Sequence, residues 1–253
     1  DNRVTWLVHL SSILSANAEK NPPQAMDVNV NGFNNALVLA HKHKLRLMAP
    51  STIGVFGPTT PKPETGTPNQ TVCIPTYLYG VTKVYLELMG NYYGLKHGLD
   101  FRCLRYPGII SPGPPGGGTT DYAIDIFYSA VKTGRFECFL KENTELPMMY
   151  MDDCLNATLK YLEAPKDTLK SCVYNIAGVS FTPLQIALEI RKHLPGFTME
   201  CRPDFRQSIA DSWPNKLDDS EARRDWGWRS QFDLPAIVKT MLFEVTKEVK
   251  GTA

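Results

Sequence analysis

A tyrosine four residues before a lysine on a helix places both side chains on one face, where the ammonium group favours the phenolate. Such a pair can take a proton from a hydroxyl group. Unperturbed tyrosine has a pKa of about 10, and lowering it to about 7 takes roughly 4 kcal/mol. Because the 253-residue chain holds 11 tyrosines, some pairs arise by chance. Tyr-x-x-x-Lys occurs three times, at Tyr79/Lys83, Tyr92/Lys96 and Tyr128/Lys132.

The surrounding segments distinguish Tyr79 from the other two tyrosines. Tyr79 follows a segment with hydroxyl residues at its centre, MAPSTIGVFG, and precedes LRYPG. A hydroxyl at the end of a strand can hydrogen-bond a substrate oxygen and the tyrosine together. Tyr92 and Tyr128 follow no such segment. We therefore predict that Tyr79 and Lys83 are the catalytic pair and that Tyr92 and Tyr128 are ordinary helix residues.

Apolar and turn-forming residues predict an alternation of strands and helices around this pair. A buried strand is indicated at 4–10, a helix at about 22–44, a strand at 45–52, a helix at 76–97 and a strand at 99–108. Strand, helix and strand in this order form βαβ units. The predicted fold class is therefore α/β, with a Rossmann-type parallel sheet, helices on both faces and ligands at the carboxyl ends of the strands.

The sequence changes character after about residue 110. SPGPPGGG at 111–118 indicates a flexible loop, residues 119–134 an amphipathic helix, and the remainder short strands alternating with helices. VYNIAG at 173–178 still has the pattern of a core strand. We predict a sheet domain over 1–110 and a smaller α/β substrate lobe over 111–253, interleaved with the last sheet strands.

Composition and charge argue against several classes of function. The net charge is +1, with no basic stripe, so we predict no nucleic-acid partner. No apolar run approaches the roughly 20 residues of a spanning helix, so no membrane partner is predicted. The six cysteines lie far apart without a CxxC motif, which favours reduced thiols, an intracellular compartment and no metal site.

Several segments together carry a family resemblance. HLSSILSA, DVNVNG, PSTIGVFGP, YGVTKVYLE and LRYPGII, in this order, resemble the extended short-chain dehydrogenases/reductases, which include the sugar-nucleotide 4-epimerases. PGGGTTDYA, LPMMYMDDCLNATL, YNIAGVSFTP and SWPNKLDDSEARRDWGW are more similar to the L-threonine 3-dehydrogenase branch of that family. This resemblance implies NAD as cofactor and oxidation of the 3-hydroxyl of L-threonine to 2-amino-3-ketobutyrate. The alternatives are a sugar-nucleotide epimerase or dehydratase on the same scaffold and a non-catalytic binding relative.

The resemblance implies roles for individual residues. Tyr79 is the general base, Lys83 lowers its pKa and holds the nicotinamide ribose, and Thr52 orients the substrate oxygen, with Ser51 as the less favoured holder of that role. Besides Tyr79 and Lys83, the cofactor-binding positions are His9, Leu10, Ser11, Asn29, Pro107, Gly108 and Ile109. Besides Thr52 and Tyr79, the substrate-binding positions are Ser15, Thr119, Thr120 and Trp213.

Some of these positions also have a purely structural interpretation. Asn29 can be an asparagine tolerated inside a helix, Thr119 can cap the helix that follows it, and Trp213 can be a core residue. Asp152 and Asp153 follow a predicted strand and are predicted to cap a helix. The loop PPGGGTTDYA contains no cation, so its two adjacent hydroxyls suit a small carboxylate better than the diphosphate of a sugar nucleotide.

The sequence departs from the family at one point. The family begins with a strand, a G-x-G-x-x-G turn and, about 20 residues later, an acid that binds the ribose. PPGGGTT is no substitute because no strand and helix of the right kind surround it. We therefore expect the sheet domain to be without its Gly-rich N-terminal βαβ portion. The choice of NAD over NADP rests on the resemblance.

Two predicted helices, near 22–44 and 77–97, are candidates for a subunit contact. They carry apolar residues on more than one side, among them Leu86, Met89, Tyr92 and Tyr93. Because one face suffices to cover a sheet, the surplus predicts a homodimer through these helices, as the resemblance also implies. The resemblance further implies the mitochondrial matrix as the compartment in a eukaryote and the cytoplasm in a bacterium.

Overall fold

The computed structural model describes residues 4–251. Strands and helices alternate along them, as the sequence predicts for an α/β fold. In chain order the elements are β1 (Trp6–Val8), α1 (Ser15–Lys20), α2 (Pro22–Met26), α3 (Gly32–His43), β2 (Arg46–Met48), β3 (Ser51–Thr52), α4 (Leu78–His97), β4 (Phe101–Tyr106), β5 (Gly108–Ile110), α5 (Tyr122–Thr133), β6 (Arg135–Cys138), β7 (Leu146–Tyr150), α6 (Met151–Glu163), β8 (Val173–Asn175), β9 (Val179–Phe181), α7 (Pro183–His193), β10 (Thr198–Cys201), α8 (Arg206–Ser212), α9 (Ser220–Trp226) and α10 (Leu234–Gly251). A turn of π helix, Asp27–Asn31, joins α2 to α3.

The main sheet is parallel and contains the three strands predicted from the first half of the chain. β1 pairs with β2, and β4 pairs with β2, β3 and β8. β2 and β3 share one register on β4, with Leu47 opposite Phe101 and Ser51 opposite Arg105. They are therefore two parts of the predicted strand 45–52, separated at Pro50, which has no backbone N–H to donate.

The second half of the chain adds β8 to the main sheet and builds two smaller sheets. β5 pairs in parallel with β7, β7 pairs antiparallel with β9, and β6 pairs in parallel with β10. The core strand predicted in VYNIAG is confirmed as β8, which pairs with β4. The domain boundary near residue 110 stays a prediction. Residues 1–3 and 252–253 of the two predicted domains lie outside the described part of the chain.

Helix α4 carries the predicted catalytic pair and lies close against the sheet. It ends before Gly98, whose φ of 70° is a left-handed conformation that glycine adopts easily. Gly90 allows the close approach, because a Cβ at this position would lie 2.1 Å from the Phe101 ring. α4 therefore packs directly against β4 at Gly90, and this contact sets the distance between the helix and the sheet.

The apolar surplus of α3 and α4 differs from the predicted one. Leu86 is buried in the apolar cluster between α4 and the sheet, and Met89 and Tyr93 pack against that cluster. The prediction that these three residues are available for a subunit contact is therefore wrong. The exposed apolar side chains on the two helices are Val38, Leu39, Val81, Leu88, Tyr92 and Leu95, and of these Tyr92 is exposed as predicted. Within residues 4–251, no helix combines the length and the apolar character that crossing a membrane requires.

The two aspartates at the start of α6 do not serve as its cap. Tyr150 occupies the N-cap position and makes no capping bond with its side chain. The buried carboxylate of Asp153 accepts hydrogen bonds from the backbone N–H groups of Gln231 at 2.9 Å and Phe232 at 3.0 Å. The predicted cap is therefore wrong: Asp153 fastens α6 to the segment that leads into α10.

Candidate active site

A cavity of about 340 Å³ opens at the carboxyl ends of β3 and β4, where parallel sheets bind ligands. Nine predicted site residues line it: Ser15, Thr52, Tyr79, Pro107, Gly108, Ile109, Thr119, Thr120 and Trp213. A larger cavity of about 460 Å³ between α4 and residues 166–173 is lined by none of the predicted site residues. The structure therefore gathers residues from six separate stretches of the sequence around the smaller cavity.

Tyr79 and Lys83 lie on the buried face of α4, one turn apart. Tyr79 is 9% exposed and Lys83 is 5% exposed. The Lys83 Nζ atom lies 5.6 Å from the centre of the Tyr79 ring and donates a hydrogen bond to the Pro50 carbonyl at 2.8 Å. This bond connects the helix to the backbone just before β3, the strand that carries Thr52.

Burial dominates the ionisation of both groups. It raises the pKa of Tyr79 to about 12, while the hydrogen bond with Thr52 acts in the opposite direction. Burial lowers the pKa of Lys83 to about 8, whereas Cys103 and Glu87 act to raise it. In the protein alone, Tyr79 is therefore protonated at neutral pH and Lys83 is mostly charged. A lowering of the Tyr79 pKa by Lys83 stays a prediction.

The two hydroxyl residues of β3 have different surroundings. The Thr52 Oγ1 atom accepts a hydrogen bond from the Gly54 N–H at 3.1 Å and hydrogen-bonds with Tyr79. The Ser51 hydroxyl instead donates to the carboxylate of Glu87. Because Ser51 is committed to Glu87, Thr52 has the better placement for a substrate oxygen.

Asn29 lies in the π turn and is 4% exposed. Its Oδ1 atom accepts from the Ile13 N–H at 2.7 Å and from the Ser12 hydroxyl at 3.2 Å. Its Nδ2 atom donates to the Ile13 carbonyl at 3.1 Å and to the Thr82 hydroxyl at 3.2 Å. All four positions of the amide are therefore used within the protein. The residue braces the segment before α1 against α4, and its contact with a cofactor stays a prediction.

Thr119 and Thr120 lie just before α5. The N-cap position of that helix is Asp121, so Thr119 does not cap it. The Thr119 hydroxyl is buried and has no hydrogen-bond partner among residues 4–251. The Asp121 carboxylate accepts from the N–H groups of Gly117 and Gly118, both at 2.7 Å, and so holds the glycine loop in place.

Trp213 and Ser15 close the cavity from two other sides. Trp213 is 5% exposed, and its indole N–H donates to the Tyr77 hydroxyl at 2.6 Å. It therefore serves both as a core residue and as part of the cavity wall. Ser15 is buried at the first position of α1, and the same short helix carries Glu19, whose carboxylate accepts from the Leu78 N–H at 2.6 Å.

The segment His9–Ser11 follows β1 and lies outside the lining of this cavity. The His9 N–H donates to the Met48 carbonyl at 2.9 Å and extends the sheet pairing. Burial, and then the charge of Lys83, lower the pKa of His9, which places His9 within the electrostatic reach of the pair. Leu10 is 69% exposed.

The two remaining Tyr-x-x-x-Lys pairs differ from each other. Tyr92 is 47% exposed on the outer side of α4. Tyr128 is more than an ordinary helix residue, because its hydroxyl donates to Glu248 at 2.6 Å and accepts from the Gly113 N–H at 2.7 Å. It thus fastens the loop beside the cavity to α10. Within residues 4–251, no cluster of three or more His, Cys, Asp or Glu side chains is placed to hold a metal ion.

Glu87 is a buried charged residue near the site that the sequence interpretation missed. It lies one turn after Lys83 on α4 and binds Arg105 through two hydrogen bonds, at 2.9 and 2.7 Å. Its spacing from Tyr79 and Lys83 was the available signal, since positions four and eight residues apart share a helix face.

Comparison with known proteins agrees with this geometry. Residues 1–177 match the NAD dependent epimerase/dehydratase family. The chain belongs to this family. A parallel sheet with a cavity at the carboxyl ends of its strands is the arrangement in which such a fold holds a nucleotide cofactor.

Members with functional names are similar over nearly the whole chain. The mitochondrial L-threonine 3-dehydrogenase of Bos taurus is 56% identical over 246 residues, which cover 96% of this chain and 65% of the bovine protein. The crystal structure of L-threonine dehydrogenase from Phytophthora infestans is 51% identical with a TM-score of 0.95, covering 97% of this chain and 80% of that one. A monomeric L-threonine 3-dehydrogenase from a metagenome is 43% identical with a TM-score of 0.93, covering 98% and 80%. The chain thus spans slightly less than two thirds of its bovine relative.

Proposed function

We propose that this protein is an NAD-dependent L-threonine 3-dehydrogenase, which oxidises the 3-hydroxyl of L-threonine to give 2-amino-3-ketobutyrate. The observation that carries the proposal is the Thr119 hydroxyl, which is buried in the cavity wall without a hydrogen-bond partner in the described part of the chain. A buried hydroxyl of this kind costs free energy unless a ligand satisfies it. With Thr120 and the positive end of α5, it suits a small carboxylate. We place the activity in the mitochondrial matrix of a eukaryote or the cytoplasm of a bacterium.

The predicted site residues that line the cavity have these roles in the reaction. Tyr79 takes the proton of the substrate hydroxyl at its phenolic oxygen, and Thr52 hydrogen-bonds the same oxygen and directs it toward Tyr79. Thr119 and Thr120 bind the substrate carboxylate together with Ser15. Trp213 covers the substrate and excludes water. Bound NAD would supply the acceptor for the hydride that leaves C3.

The residues beside the pair suit a nicotinamide ribose. Lys83 has three N–H donors, and the Pro50 carbonyl takes one of them. A buried ammonium group with donors to spare suits the two adjacent hydroxyls of a ribose. Pro107, Gly108 and Ile109 form an apolar wall of the cavity for a flat ring. In this proposal the backbone of His9–Ser11 passes the cofactor.

The pKa of Tyr79 determines how much stabilisation the phenolate requires. Going from a pKa of about 12 to one near 7 takes roughly 7 kcal/mol at 1.36 kcal/mol per unit. This exceeds the requirement for an unburied tyrosine, because burial disfavours the charged form. Positive charge near the oxygen would lower this requirement, and in this proposal Lys83, whose Nζ atom lies 5.6 Å from the centre of the Tyr79 ring, supplies it.

A sugar nucleotide fits the cavity less well than an amino acid does. Its diphosphate needs cationic side chains to bind it. Among the described residues that line the cavity there is no lysine or arginine, and Asp121 is acidic. The cavity therefore favours a small zwitterion over a dianionic diphosphate.

The test is a direct assay of the protein in its full natural length. Mixing it with L-threonine and NAD should produce NADH, which is followed by its absorbance. UDP-galactose should not be converted to UDP-glucose. Epimerisation without threonine oxidation would assign the protein to the sugar-nucleotide branch, and NADH binding with neither activity would make it a binding relative.

A further inference from the structure

A buried charged cluster lies beside the candidate catalytic pair and reaches the cavity wall at Ser51. It consists of Glu87 on α4, Arg105 on β4 and Ser51 on β3. All three are at most 7% exposed. Arg105 donates to both carboxylate oxygens of Glu87, at 2.9 and 2.7 Å, and Ser51 donates to one of them.

The geometry shows what this cluster holds together. Ser51 and Arg105 are paired neighbours in the sheet, and the next pair in the register is Thr52 and Tyr106. The Glu87 carboxylate therefore fastens α4 to the ends of two strands at the point where they reach the cavity. Thr52 lies on one of those strands, and Tyr79 lies two helical turns before Glu87.

The electrostatic environment of Lys83 gives the same carboxylate a second role. The groups that act on Lys83 or feel its charge are Glu87, Cys103 on β4 and His9 after β1. Burial raises the pKa of Cys103 well above its ordinary value, so this thiol is neutral near pH 8. Burial, and then Lys83, lower the pKa of His9, so this imidazole is also neutral there. Of the two groups that favour the ammonium form of Lys83, the Cys103 thiol is therefore uncharged, whereas Glu87 lies one turn after Lys83 on α4 and is ion-paired with Arg105.

Arg105, Cys73 and Cys172 are further titratable groups within electrostatic reach of Glu87. Although burial alone would lower it, Glu87 raises the pKa of Arg105 above its ordinary value, so the guanidinium stays charged. The thiols of Cys73 and Cys172 lie within electrostatic reach of Glu87, and burial raises the pKa of both. Glu87 is thus shared between one cation that is always charged and one, Lys83, whose charge depends on pH.

We propose that Glu87 is a positioning residue of the active site, which holds the Thr52 strand against α4 and keeps Lys83 in its ammonium form. The inference deepens the proposed function and rests on it for the roles of Tyr79 and Lys83. Glu87 itself contacts neither substrate nor cofactor. It acts through Ser51 on the strand and through its charge on the lysine.

The decisive measurement is the titration of Lys83 by NMR in protein labelled with ¹³C at the lysine Cε, without substrate or cofactor. The Lys83 resonance is assigned by its absence in Lys83→Met. In Glu87→Gln, the titration midpoint should fall by about half a pH unit or more, because the neighbouring anion is lost. In Glu87→Asp, which keeps the charge and shortens the side chain, it should stay nearly unchanged. Exposed Glu64→Gln is the matched control and should leave the midpoint unchanged.

The two variants separate electrostatics from structure. Glu87→Gln keeps the size of the side chain and removes its charge, whereas Glu87→Asp changes the size and keeps the charge. A purely structural role would move the midpoint in Glu87→Asp at least as far as in Glu87→Gln, and that result overturns the proposal. If Glu87→Gln does not fold because Arg105 is left buried and unpaired, Glu87→Gln/Arg105→Met replaces it. This double variant should titrate below the unmodified protein, and an equal midpoint overturns the proposal.

A second readout tests the positioning of Thr52. Ser51→Ala removes the bond to β3 but leaves every charge, so kcat for L-threonine should fall at least fivefold while KM and the Lys83 midpoint stay unchanged. An unchanged kcat overturns this part. The NMR titration needs neither L-threonine nor NAD. If the unmodified protein does not oxidise threonine, the proposed function therefore fails without deciding the titration result.

Discussion

At the scale of single residues, the site combines one buried acid–base group, one buried cation and two kinds of hydroxyl. The hydroxyls of Thr52 and Ser51 are used within the protein, one beside Tyr79 and one on Glu87. The Thr119 hydroxyl has no hydrogen-bond partner among the residues that the structure describes. Because side chains that are neighbours in sequence have such different surroundings, substitutions at these positions should separate chemistry, binding and stability.

We expect Tyr79→Phe to abolish NADH formation from L-threonine while NADH binding stays nearly intact. The phenolic oxygen carries the proton, whereas the ring and its packing survive the change. Stopped assays and fluorescence titration with NADH measure the two properties. Exposed Tyr92→Phe is the matched control and should be nearly silent. Tyr128→Phe is a poorer control, since its hydroxyl fastens the cavity loop to α10. Activity of Tyr79→Phe within tenfold of the unmodified protein would remove Tyr79 from the role of base.

Replacing Thr119 and Thr120 together by alanine should raise KM for L-threonine at least tenfold, which corresponds to about 1.4 kcal/mol. NADH affinity should hardly change. Thr119→Val provides the stability control, because it keeps the shape of the side chain and removes only the hydroxyl. Since this hydroxyl has no hydrogen-bond partner among the described residues, the free energy of unfolding should stay equal or rise. An unchanged KM in the double variant would mean that these hydroxyls do not bind the carboxylate.

At the scale of elements, α4 determines the arrangement of the site. Its N-terminal end is fastened to α1 through Glu19, its middle to β3 and β4 through Glu87, and its sheet-facing side to β4 at Gly90. The π turn between α2 and α3 brings Asn29 to Thr82, beside Lys83. Such turns often occur at functional sites, because one extra residue per turn redirects a side chain.

Two glycines on α4 provide a matched test of its packing. A Cβ at Gly90 would lie 2.1 Å from the Phe101 ring, whereas one at Gly94 would lie 3.5 Å from the Leu99 carbonyl oxygen. We expect Gly90→Ala to lower the free energy of unfolding by about 1–3 kcal/mol through overpacking. Gly94→Ala should leave it unchanged or raise it by up to about 1 kcal/mol, since alanine favours helix. Urea denaturation measures both, and equal effects would contradict the packing argument.

At the scale of the whole molecule, α3 and α4 lie side by side and both expose apolar side chains. Besides Tyr92, α4 exposes Val81, Leu88 and Leu95, at every seventh position, and these three are 50%, 64% and 76% exposed. This regular stripe on one helix is suited to a helix of a second copy. The homodimer therefore remains our expectation, although the residues that support it are not the ones predicted from the sequence.

We expect the protein to have a dimeric mass at micromolar concentration and Leu88→Glu/Leu95→Glu to have a monomeric mass. Two charges in the contact would have to be buried without partners. Leu155→Glu/Leu159→Glu on α6 changes two other exposed leucines, which are 54% and 58% exposed, and should leave the dimer intact. Sedimentation equilibrium measures all three. The metagenome relative is named as a monomeric protein. A monomeric mass of the unmodified protein in this experiment would contradict our expectation.

The sequence alone determined the features that depend on residues close together in the chain. The α/β alternation, the strand 45–52 and helix α4 follow from local periodicity, because a buried face repeats every two or about 3.6 residues. The shared face of Tyr79 and Lys83 follows from the same rule. The family resemblance placed Thr52, Thr119 and Thr120 in one site, and the structure puts all three on the wall of one cavity.

Only the tertiary structure decided which polar groups find partners. Asp153 has the pattern of a cap, yet its carboxylate binds residues 78 and 79 positions away. Glu87 meets Ser51 from 36 residues away and Arg105 from 18, and Tyr128 meets Glu248 from 120. Local patterns show which face of an element is buried, but the partner of a buried polar atom belongs to whichever element packs there. The fold therefore decided that the Ser51 hydroxyl is bound to Glu87. It also decided that the Thr119 hydroxyl has no hydrogen-bond partner within residues 4–251.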